Sequence, residues 1–297
     1  GYSSAASDVY KRQGVDIPMG KSENVCVFED TEKTCKDIPY LSLAIKQSRK
    51  MQDIFWGRLP VPHTEVCDGT PAQIIVSRKR TLEAAKAYTG KKVCVLNFAS
   101  ATNPGGGVTR GSSAQEEAIC RCSTLYPCLN NAKMWNAFYV PHRHERNPLH
   151  NDDCIYTPGV VVFKTDDDVP KHMPESQWYC VDVLTCAAPN LRNIPTNAMN
   201  SSDGSHSISI SNEDLQKLHE KRMERVFQIA MAKGAEVLIL GAFGCGAFRN
   251  PPKVVAAAMK TIVQKYRNAF DTIEFAVYCP PRRDQNYHVF NRVLKEL

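Results

Sequence analysis

Residues 97–126 read Asn-Phe-Ala-Ser-Ala-Thr-Asn-Pro-Gly-Gly-Gly-Val-Thr-Arg-Gly-Ser-Ser-Ala-Gln-Glu-Glu-Ala-Ile-Cys-Arg-Cys-Ser-Thr-Leu-Tyr. The apolar run 93–98 predicts a buried strand that leads into this stretch, and a helix is expected to open at Gln115. Between them lie three consecutive glycines, 105–107, which can adopt positive φ and leave the main-chain N–H groups open to a ligand. Such a loop beside a helix N-terminus is typical of a phosphate site.

Two neighbouring carboxylates at the start of the helix indicate what else the ligand contains. Glu116 and Glu117 would repel an anion unless they face a neutral group, such as a sugar hydroxyl or a glycosidic oxygen. The pattern therefore predicts a phosphorylated sugar, with phosphate at the glycines and sugar at the glutamates. The alternative is a glycine-rich surface loop followed by solvated glutamates.

The glycine triplet followed by Gln-Glu-Glu resembles the signature of the poly(ADP-ribose) glycohydrolases, a family with the macrodomain fold. The flanking segments 97–104 and 120–126 look like the microbial type of that family. The resemblance spans residues 25–297. It implies an α/β fold, with a macrodomain-like three-layer α/β/α arrangement, a central mixed sheet and an N-terminal helical extension.

The order of apolar segments also predicts an α/β protein. The predicted strands are 73–76, 93–98, 155–163, 179–185, 235–240 and 272–278, and the predicted helices are 41–55, 81–88, 213–233 and 284–297. Alternation of strands and helices favours βαβ units and a largely parallel or mixed sheet. We expect residues 1–23 to be a flexible tail and 24–297 to be one domain, with a helical extension at 24–70 and the macrodomain core at 71–297. Residues 193–212, rich in Asn, Ser, Gly and Thr, are predicted to be disordered.

A second glycine-rich loop follows the strand predicted at 235–240. It reads Gly-Ala-Phe-Gly-Cys-Gly-Ala-Phe-Arg-Asn-Pro-Pro, and the two prolines suit the first turn of a following helix. Residues 244–248 are therefore free to wrap a diphosphate, as the resemblance also implies; the alternative is a tight turn with glycines for packing. Residues 187–190, Ala-Ala-Pro-Asn, follow another strand and are expected near the site, because ligands gather at the carboxyl ends of parallel strands.

Together the two loops and the helix start supply the expected site. The catalytic residues are expected to be Glu117 and Glu116. The expected substrate-binding residues are Asn103, Gly105, Gly106, Gly107, Val108, Gln115, Gly244, Cys245, Gly246, Ala247 and Phe248.

Cleavage of a bond between riboses needs a carboxyl that protonates the leaving group and then activates water. Neighbouring residues on a helix point about 100° apart, so these two glutamates cannot flank a bond from opposite faces. The resemblance implies that Glu117 is the acid and that Glu116 holds a ribose hydroxyl. A general acid needs a raised pKa, whereas a helix N-terminus lowers the pKa of a carboxylate, so burial has to outweigh the helix.

Aromatic residues offer further contacts whose roles stay open. Phe248 is placed to press on the scissile ribose, as the resemblance implies, but packing explains it equally well. Tyr278, Tyr287 and Phe290 could stack on adenine, although core burial is the simpler expectation for any one of them.

Composition sets the broad class. The chain has 297 residues, a hydrophobic content of 43% and a net charge of +6 from 37 basic and 31 acidic residues, which is ordinary for a globular protein and compatible with a polyanionic partner. No apolar run is long enough to cross a bilayer, and we expect a cytoplasmic monomer. We expect no sequence-specific nucleic-acid binding.

No cofactor and no metal are expected. The 12 cysteines are spread out and include no Cys-x-x-Cys, and those at 94, 180, 186 and 279 are predicted to be buried reduced thiols. His142, His144 and the acidic run 166–168 are interpreted as solvated loop residues.

The leading hypothesis is therefore a metal-independent glycohydrolase that releases ADP-ribose from poly(ADP-ribose), acting at chain ends. Its partners would be the polymer or ADP-ribosylated targets, with ADP-ribose as the product. One alternative is a macrodomain that binds ADP-ribose without cleaving it. The other is a hydrolase of mono-ADP-ribose on protein or nucleic acid.

Overall fold

A seven-stranded mixed sheet runs through the part of the chain that the structure, a computed structural model, describes: residues 20–64, 69–280 and 283–297. The strands lie in the order β1-β4-β5-β3-β6-β7-β2. β1 and β4 are antiparallel, as are β4 and β5, and the other neighbours are parallel. In chain order the strands are β1 (Asp53–Phe55), β2 (Gln73–Ser77), β3 (Val93–Phe98), β4 (Cys154–Val162), β5 (Tyr179–Cys186), β6 (Val237–Leu240) and β7 (Thr272–Ala276). The prediction of a central mixed sheet is confirmed.

Helices cover both faces of this sheet. They are α1 (Lys21–Asp37), α2 (Pro39–Met51), α3 (Thr81–Lys86), α4 (Gln115–Cys122), α5 (Leu125–Leu129), α6 (Ala132–Met134), α7 (Val140–Glu145), α8 (Asn212–Ala232), α9 (Pro252–Lys265) and α10 (Gln285–Leu294). A five-residue π-helix, Trp135–Tyr139, joins α6 to α7. Among the described residues, no helix combines the length and the apolar character needed to span a membrane.

Alternation along the strands builds two cores. In β3, Val93 and Val95 face the core formed with α1, α3, α4 and α5, whereas Cys94 and Leu96 face the core formed with α8, α9 and α10. Successive strand residues point to opposite faces, so a strand that is apolar at every position must be covered on both sides. The three-layer α/β/α arrangement follows, as predicted.

The helix predicted over residues 41–55 ends earlier than expected. It ends at Met51 instead of residue 55, because Gln52 takes an extended conformation and buries its side chain. The Gln52 amide donates to the carbonyl of Cys128 at 2.8 Å and to the hydroxyl of Thr157 at 2.9 Å. Residues 53–55 can then pair with β4. The segment predicted as a helical extension therefore adds an edge strand to the sheet.

The N-terminal helix also begins earlier than the predicted boundary at residue 24. It starts at Lys21, so residues 21–23 of the expected tail are helical, while 1–19 lie outside the described residues. Its buried side chains recur at intervals of three and four: Asn24, Phe28, Thr31 and Cys35. That spacing gives one face toward the protein.

Three further expectations about burial are wrong. Residues 193–212 include the buried Asn200 and Asp203, so this segment packs against the protein rather than standing free. Cys180 is exposed and Cys279 half-buried, although Cys94 and Cys186 are buried as predicted. His142 is buried in α7, where its ring nitrogens contact the carbonyl of Phe138 and the side chain of Asn151.

Candidate active site

A cavity of about 460 Å³ opens at the carboxyl ends of the parallel strands. Its wall is built from the segments that follow β2, β3, β6 and β7, together with the start of α4. Ends of parallel strands meet at one edge of the sheet, which is where α/β proteins bind ligands. The position that the strand order predicted for the site is the position of this cavity.

The two glutamates meet inside the cavity. Oε2 of Glu116 accepts a hydrogen bond from the N–H of Ser100 at 2.7 Å, and its Oε1 accepts one from the amide of Asn97 at 3.2 Å. Oε1 of Glu117 accepts a hydrogen bond from the N–H of Gly107 at 2.9 Å. Both carboxyls reach Gly106: a Cβ at this glycine would lie 2.6 Å from Glu117 and 3.1 Å from Glu116. The two carboxyls therefore converge on one glycine although their residues point about 100° apart on the helix.

Burial shifts the pKa of both carboxyls. Glu116 is 2% exposed and Glu117 is 5% exposed. Burial, and for Glu116 also the neighbouring Glu117 carboxylate, raises the pKa of Glu116 well above its ordinary value and raises that of Glu117. Hydrogen bonds from backbone N–H groups oppose this increase without cancelling it. The competition between burial and the helix N-terminus is thus resolved in favour of a raised pKa, as acid catalysis requires.

The glycine triplet serves the carboxyls rather than a phosphate. The N–H of Gly107 is used by Glu117, that of Gly106 donates to the carbonyl of Asn103 at 3.0 Å, and that of Val108 donates to Gly105 at 3.0 Å. The expectation that these N–H groups are free for an anion is wrong. Gly105 and Gly106 have φ of +69° and +57°, which a side chain would strain. Glycine is needed here so that the loop can touch the glutamates.

Three of the expected ligand residues in this region are engaged within the protein. Val108 is fully buried in the core. Asn103 is not part of the cavity wall; its side-chain oxygen accepts a hydrogen bond from Arg143. Gln115 lies in the wall, but its amide binds the N–H of Phe98 at 2.8 Å and donates to the carbonyl of Leu96 at 2.7 Å. Gln115 thereby fixes the start of α4 to the end of β3.

The second loop keeps its N–H groups available. Within the described part of the chain, the N–H groups of Gly246, Ala247 and Phe248 donate to no acceptor. Gly244, with φ of +75°, lies so close to Ala188 that a Cβ would come within 2.6 Å of that side chain. Consecutive free N–H groups beside a helix N-terminus are suited to a diphosphate, so this loop has the geometry that the sequence predicted.

One residue of the second loop faces away from the cavity. Cys245 packs against the core, and its N–H donates to the carbonyl of Ala242 at 3.0 Å. Burial raises the pKa of its thiol, so the group is neutral. The structure therefore does not bring Cys245 to the cavity, whereas Gly244, Gly246, Ala247 and Phe248 all line it.

Of the three aromatic candidates near the C-terminus, only Tyr278 lies in the cavity wall. The guanidinium of Arg80 lies 3.8 Å from the centre of its ring, and both side chains contact Asp168. Phe290 is buried in the core, and Tyr287 is stacked by Arg78 at 4.0 Å outside the cavity. Tyr278 and Arg80 therefore form a stacked pair in the cavity wall.

Several wall residues were missed by the sequence interpretation. Ser100, Arg80 and Thr81 follow the ends of β3 and β2, so the strand-end rule could have found them. Met199 and Asn200 belong to the segment predicted as disordered, and nothing in its composition indicated a wall. Asp166 was interpreted as solvated, yet it is buried and its carboxylate accepts a hydrogen bond from the N–H of Leu82 at 2.9 Å.

No three His, Cys, Asp or Glu side chains of residues 20–64, 69–280 and 283–297 are grouped so that they could hold a metal ion. The polar groups of the cavity wall include carboxyls, hydroxyls, amides and the guanidinium of Arg80. These groups can bind anions and hydroxyls and can exchange protons.

Known proteins share this arrangement. The family model for the microbial-type PARG catalytic domain matches residues 27–165. The crystal structure of poly(ADP-ribose) glycohydrolase (PARG) from Thermomonospora curvata aligns with a TM-score of 0.79 and 28% identity, covering 92% of this chain and 99% of that chain. The same enzyme bound to the inhibitor ADP-HPD aligns at 0.76 and 28%, covering 91% and 99%.

A PARG from Deinococcus radiodurans in complex with ADP-ribose aligns with a TM-score of 0.69 and 27% identity, covering 85% of this chain and 97% of that chain. Curated proteins give no match. The paired glutamates over the glycine triplet, the mixed sheet that carries them and these alignments agree, and the chain is similar in sequence and in fold to the microbial-type poly(ADP-ribose) glycohydrolases.

Proposed function

We propose that this protein hydrolyses the ribose–ribose O-glycosidic bond of poly(ADP-ribose) and releases ADP-ribose, acting at chain ends. The observation that carries the proposal is the pair of buried carboxyls, Glu116 and Glu117, that meet at Gly106 inside a cavity whose other wall offers free N–H groups. Known PARG structures with ADP-HPD and with ADP-ribose support the same substrate class.

The diphosphate of the terminal unit binds at residues 246–248, because their N–H groups are available while those of Gly106, Gly107 and Val108 are engaged. The base then lies toward Tyr278 and Arg80, and the distal ribose lies at the glutamates. Phe248 closes this ribose from the side of the second loop. One chain supplies all of these walls, so we expect a monomer to be active.

Glu117 is assigned as the general acid. Burial raises the pKa of Glu117, which favours the protonated carboxyl that transfers a proton to the leaving ribose oxygen while an oxocarbenium-like sugar forms. The resulting carboxylate then accepts a proton from the water that attacks the anomeric carbon. Since the two carboxyls converge on one glycine, a single group performs both proton transfers.

Glu116 is assigned the positioning role. Both of its oxygens accept hydrogen bonds, from the N–H of Ser100 and from the amide of Asn97, which fixes the orientation of this carboxyl. Its pKa is raised well above the ordinary value, which favours a neutral carboxyl able to donate a hydrogen bond to a ribose hydroxyl.

The test measures ADP-ribose release from polymer by the unaltered protein and by Glu117→Gln, with ADP-ribose binding followed by calorimetry. We expect Glu117→Gln to lose roughly 10²-fold or more in kcat, a typical size for a general acid, and to keep its affinity for ADP-ribose. Equal digestion by both forms would overturn the assignment. Binding without turnover in the unaltered protein would favour a pure binding module.

A parallel assay on mono-ADP-ribosylated protein and nucleic acid separates the remaining alternative. Preferential release from those targets would identify a mono-ADP-ribose hydrolase. The products from polymer decide the cleavage mode, because chain-end cleavage yields only ADP-ribose and internal cleavage yields oligomers.

The eleven cysteines among the described residues are all free thiols, which is consistent with the reducing compartment that we propose, the cytoplasm.

A further inference from the structure

A buried histidine–aspartate pair lies behind Phe248. The ring of His150 is centred 5.8 Å from the ring of Phe248, and its Nε2 lies 2.5 Å from Oδ1 of Asp203. The side chains of His150 and Asp203 are each only 1% exposed. Neither residue lines the cavity, and neither was singled out by the sequence.

Both ring nitrogens of His150 have a hydrogen-bond partner. Its Nδ1 lies 2.7 Å from the carbonyl oxygen of Ala188, which can only accept, so Nδ1 carries a hydrogen. Its Nε2 faces Oδ1 of Asp203 at 2.5 Å. A buried polar pair of this kind is stable only when its remaining oxygen is also hydrogen-bonded.

The other oxygen of Asp203 is satisfied by a loop next to the second phosphate loop. Oδ2 of Asp203 accepts a hydrogen bond from the side-chain amide of Asn190 at 2.6 Å. The neighbouring N–H of Leu191 donates to the carbonyl of Phe248 at 2.9 Å. The pair is therefore tied both to the ring and to the main chain of Phe248.

Asp203 also lies close in sequence to the cavity-lining residues Met199 and Asn200. The side chain of Met199 lies against Gly107. Gly107 is the residue that donates to the carboxyl of Glu117. One buried pair thus joins the loop with Phe248, the segment 199–203 and, through Met199, the loop that holds the acid.

We propose that His150 and Asp203 are positioning residues that set Phe248 and the Met199–Asn200 wall against the scissile ribose. This inference rests on the proposed function. Neither residue touches the substrate; the pair acts by holding residues that do. Since displacing a positioning group by about 1 Å can cost 10²-fold in rate, loss of the pair should reduce kcat more than ADP-ribose affinity.

The decisive variant is Asp203→Asn, which keeps the size of the side chain and removes its charge. We expect kcat for ADP-ribose release from polymer to fall roughly ten- to hundredfold, while the Kd for ADP-ribose, set by the free N–H groups and the base end, changes less than about threefold.

The matched control is Asp182→Asn. Asp182 is 9% exposed and accepts hydrogen bonds from Tyr156 and from the N–H of Gly159, but it lies beside Cys94, at the opposite end of the strands. This control should lower thermal stability and leave both kcat and the Kd for ADP-ribose unchanged. If both variants lower stability and neither changes kcat, the pair is only structural and the proposal is wrong.

A second comparison uses the background Phe248→Ala. If the pair acts through Phe248, Asp203→Asn should reduce kcat only slightly in the Phe248→Ala background. A reduction as large as in the unaltered protein would show that the pair does not act through Phe248. His150→Asn serves if Asp203→Asn does not fold, because Asn tolerates the φ of +58° found at His150. Absence of polymer turnover in the unaltered protein would overturn the proposed function and this inference together, whereas normal turnover in Asp203→Asn would overturn the inference alone.

Discussion

Phe28 and Tyr126 meet edge to face with ring centres 4.8 Å apart, and this contact joins the N-terminal helix to the glycine loop. The ring of Tyr126 lies so close to Gly105 that a Cβ there would come within 2.7 Å of it. On the same helix, the amide of Asn24 donates to the carbonyl of Gly111 at 3.0 Å. The N-terminal helix therefore supports the loop that holds Glu117.

Removal of this support should weaken both stability and catalysis. Phe28 is 2% exposed, so Phe28→Ala should lower the free energy of unfolding by about 3–5 kcal/mol, the usual cost of such a cavity. Polymer hydrolysis at a temperature where the variant is folded should also decrease, because the glycine loop loses its backing. Urea titration and steady-state rates measure the two effects. Cys26→Ala, at an exposed position of the same helix, should change neither; an equal loss there would show that the helix is merely fragile.

Substitution of Gly106 should reduce activity because a Cβ would collide with the glutamates, and this effect can be separated from backbone strain. Gly106→Ala puts a Cβ 2.6 Å from the carboxyl of Glu117 at a residue with φ of +57°, so we expect polymer hydrolysis to fall roughly 10²-fold as the carboxyls are displaced. Gly159 has a similar φ of +64°, but the nearest atom to a Cβ there is 3.7 Å away. Gly159→Ala therefore carries the strain without the collision, and its kcat should be unchanged. Similar rates for the two variants would contradict this explanation.

The sequence predicted the inner strands of the sheet well because they are buried on both faces. The run 93–98 is apolar at nearly every position, and it forms β3 with the predicted bounds. The start of α4 at Gln115 and the position of Pro252 in the first turn of α9 also follow from local rules. The prediction that the glutamates and the glycine triplet lie close together in space was accessible for the same reason: the two are separated by few residues, and both reach the same cavity.

What the sequence could not show depends on contacts between distant residues. The main-chain N–H groups of the glycine triplet are engaged by Glu117 and by neighbouring carbonyls, which no pattern reveals, so the first loop was interpreted as a phosphate site. His150 and Asp203 are 53 residues apart in the sequence, in irregular segments, and only the folded chain brings them together. His142 was interpreted as solvated because its neighbours are charged, although the fold turns that one ring inward.

The raised pKa of Glu117 should make stability depend on pH in a definite direction. A carboxyl whose pKa in the folded state lies above its ordinary value of 4.5 stabilises the fold below that value, and this stabilisation is lost as pH rises through the folded pKa. Each unit of the increase corresponds to about 1.4 kcal/mol. Glu117→Gln cannot ionise, so its free energy of unfolding should exceed that of the unaltered protein at pH 8 and not at pH 4.

Urea titrations at the two pH values measure this difference. Glu175→Gln, at an exposed position, should leave the pH dependence as it is. If Glu117→Gln shows the same slope with pH as the unaltered protein, the folded-state pKa of Glu117 is not raised.

The stacked pair of Tyr278 and Arg80 in the cavity wall allows a test of where the base binds. The guanidinium of Arg80 lies 3.8 Å from the ring centre of Tyr278, which lines the cavity. The guanidinium of Arg78 lies 4.0 Å from the ring centre of Tyr287, which does not line the cavity. Loss of one stacking surface for a base costs about 1–3 kcal/mol, so Tyr278→Ala should weaken ADP-ribose binding by roughly five- to 150-fold. Tyr287→Ala removes the same kind of pair outside the cavity, and its affinity should stay within about twofold because surface changes of this kind are small. Calorimetry with ADP-ribose and with ribose 5-phosphate measures these affinities. Ribose 5-phosphate has no base, so it should bind the two variants and the unaltered protein with equal affinity. A loss of ribose 5-phosphate affinity in Tyr278→Ala would show that the tyrosine shapes the cavity rather than contacting the base.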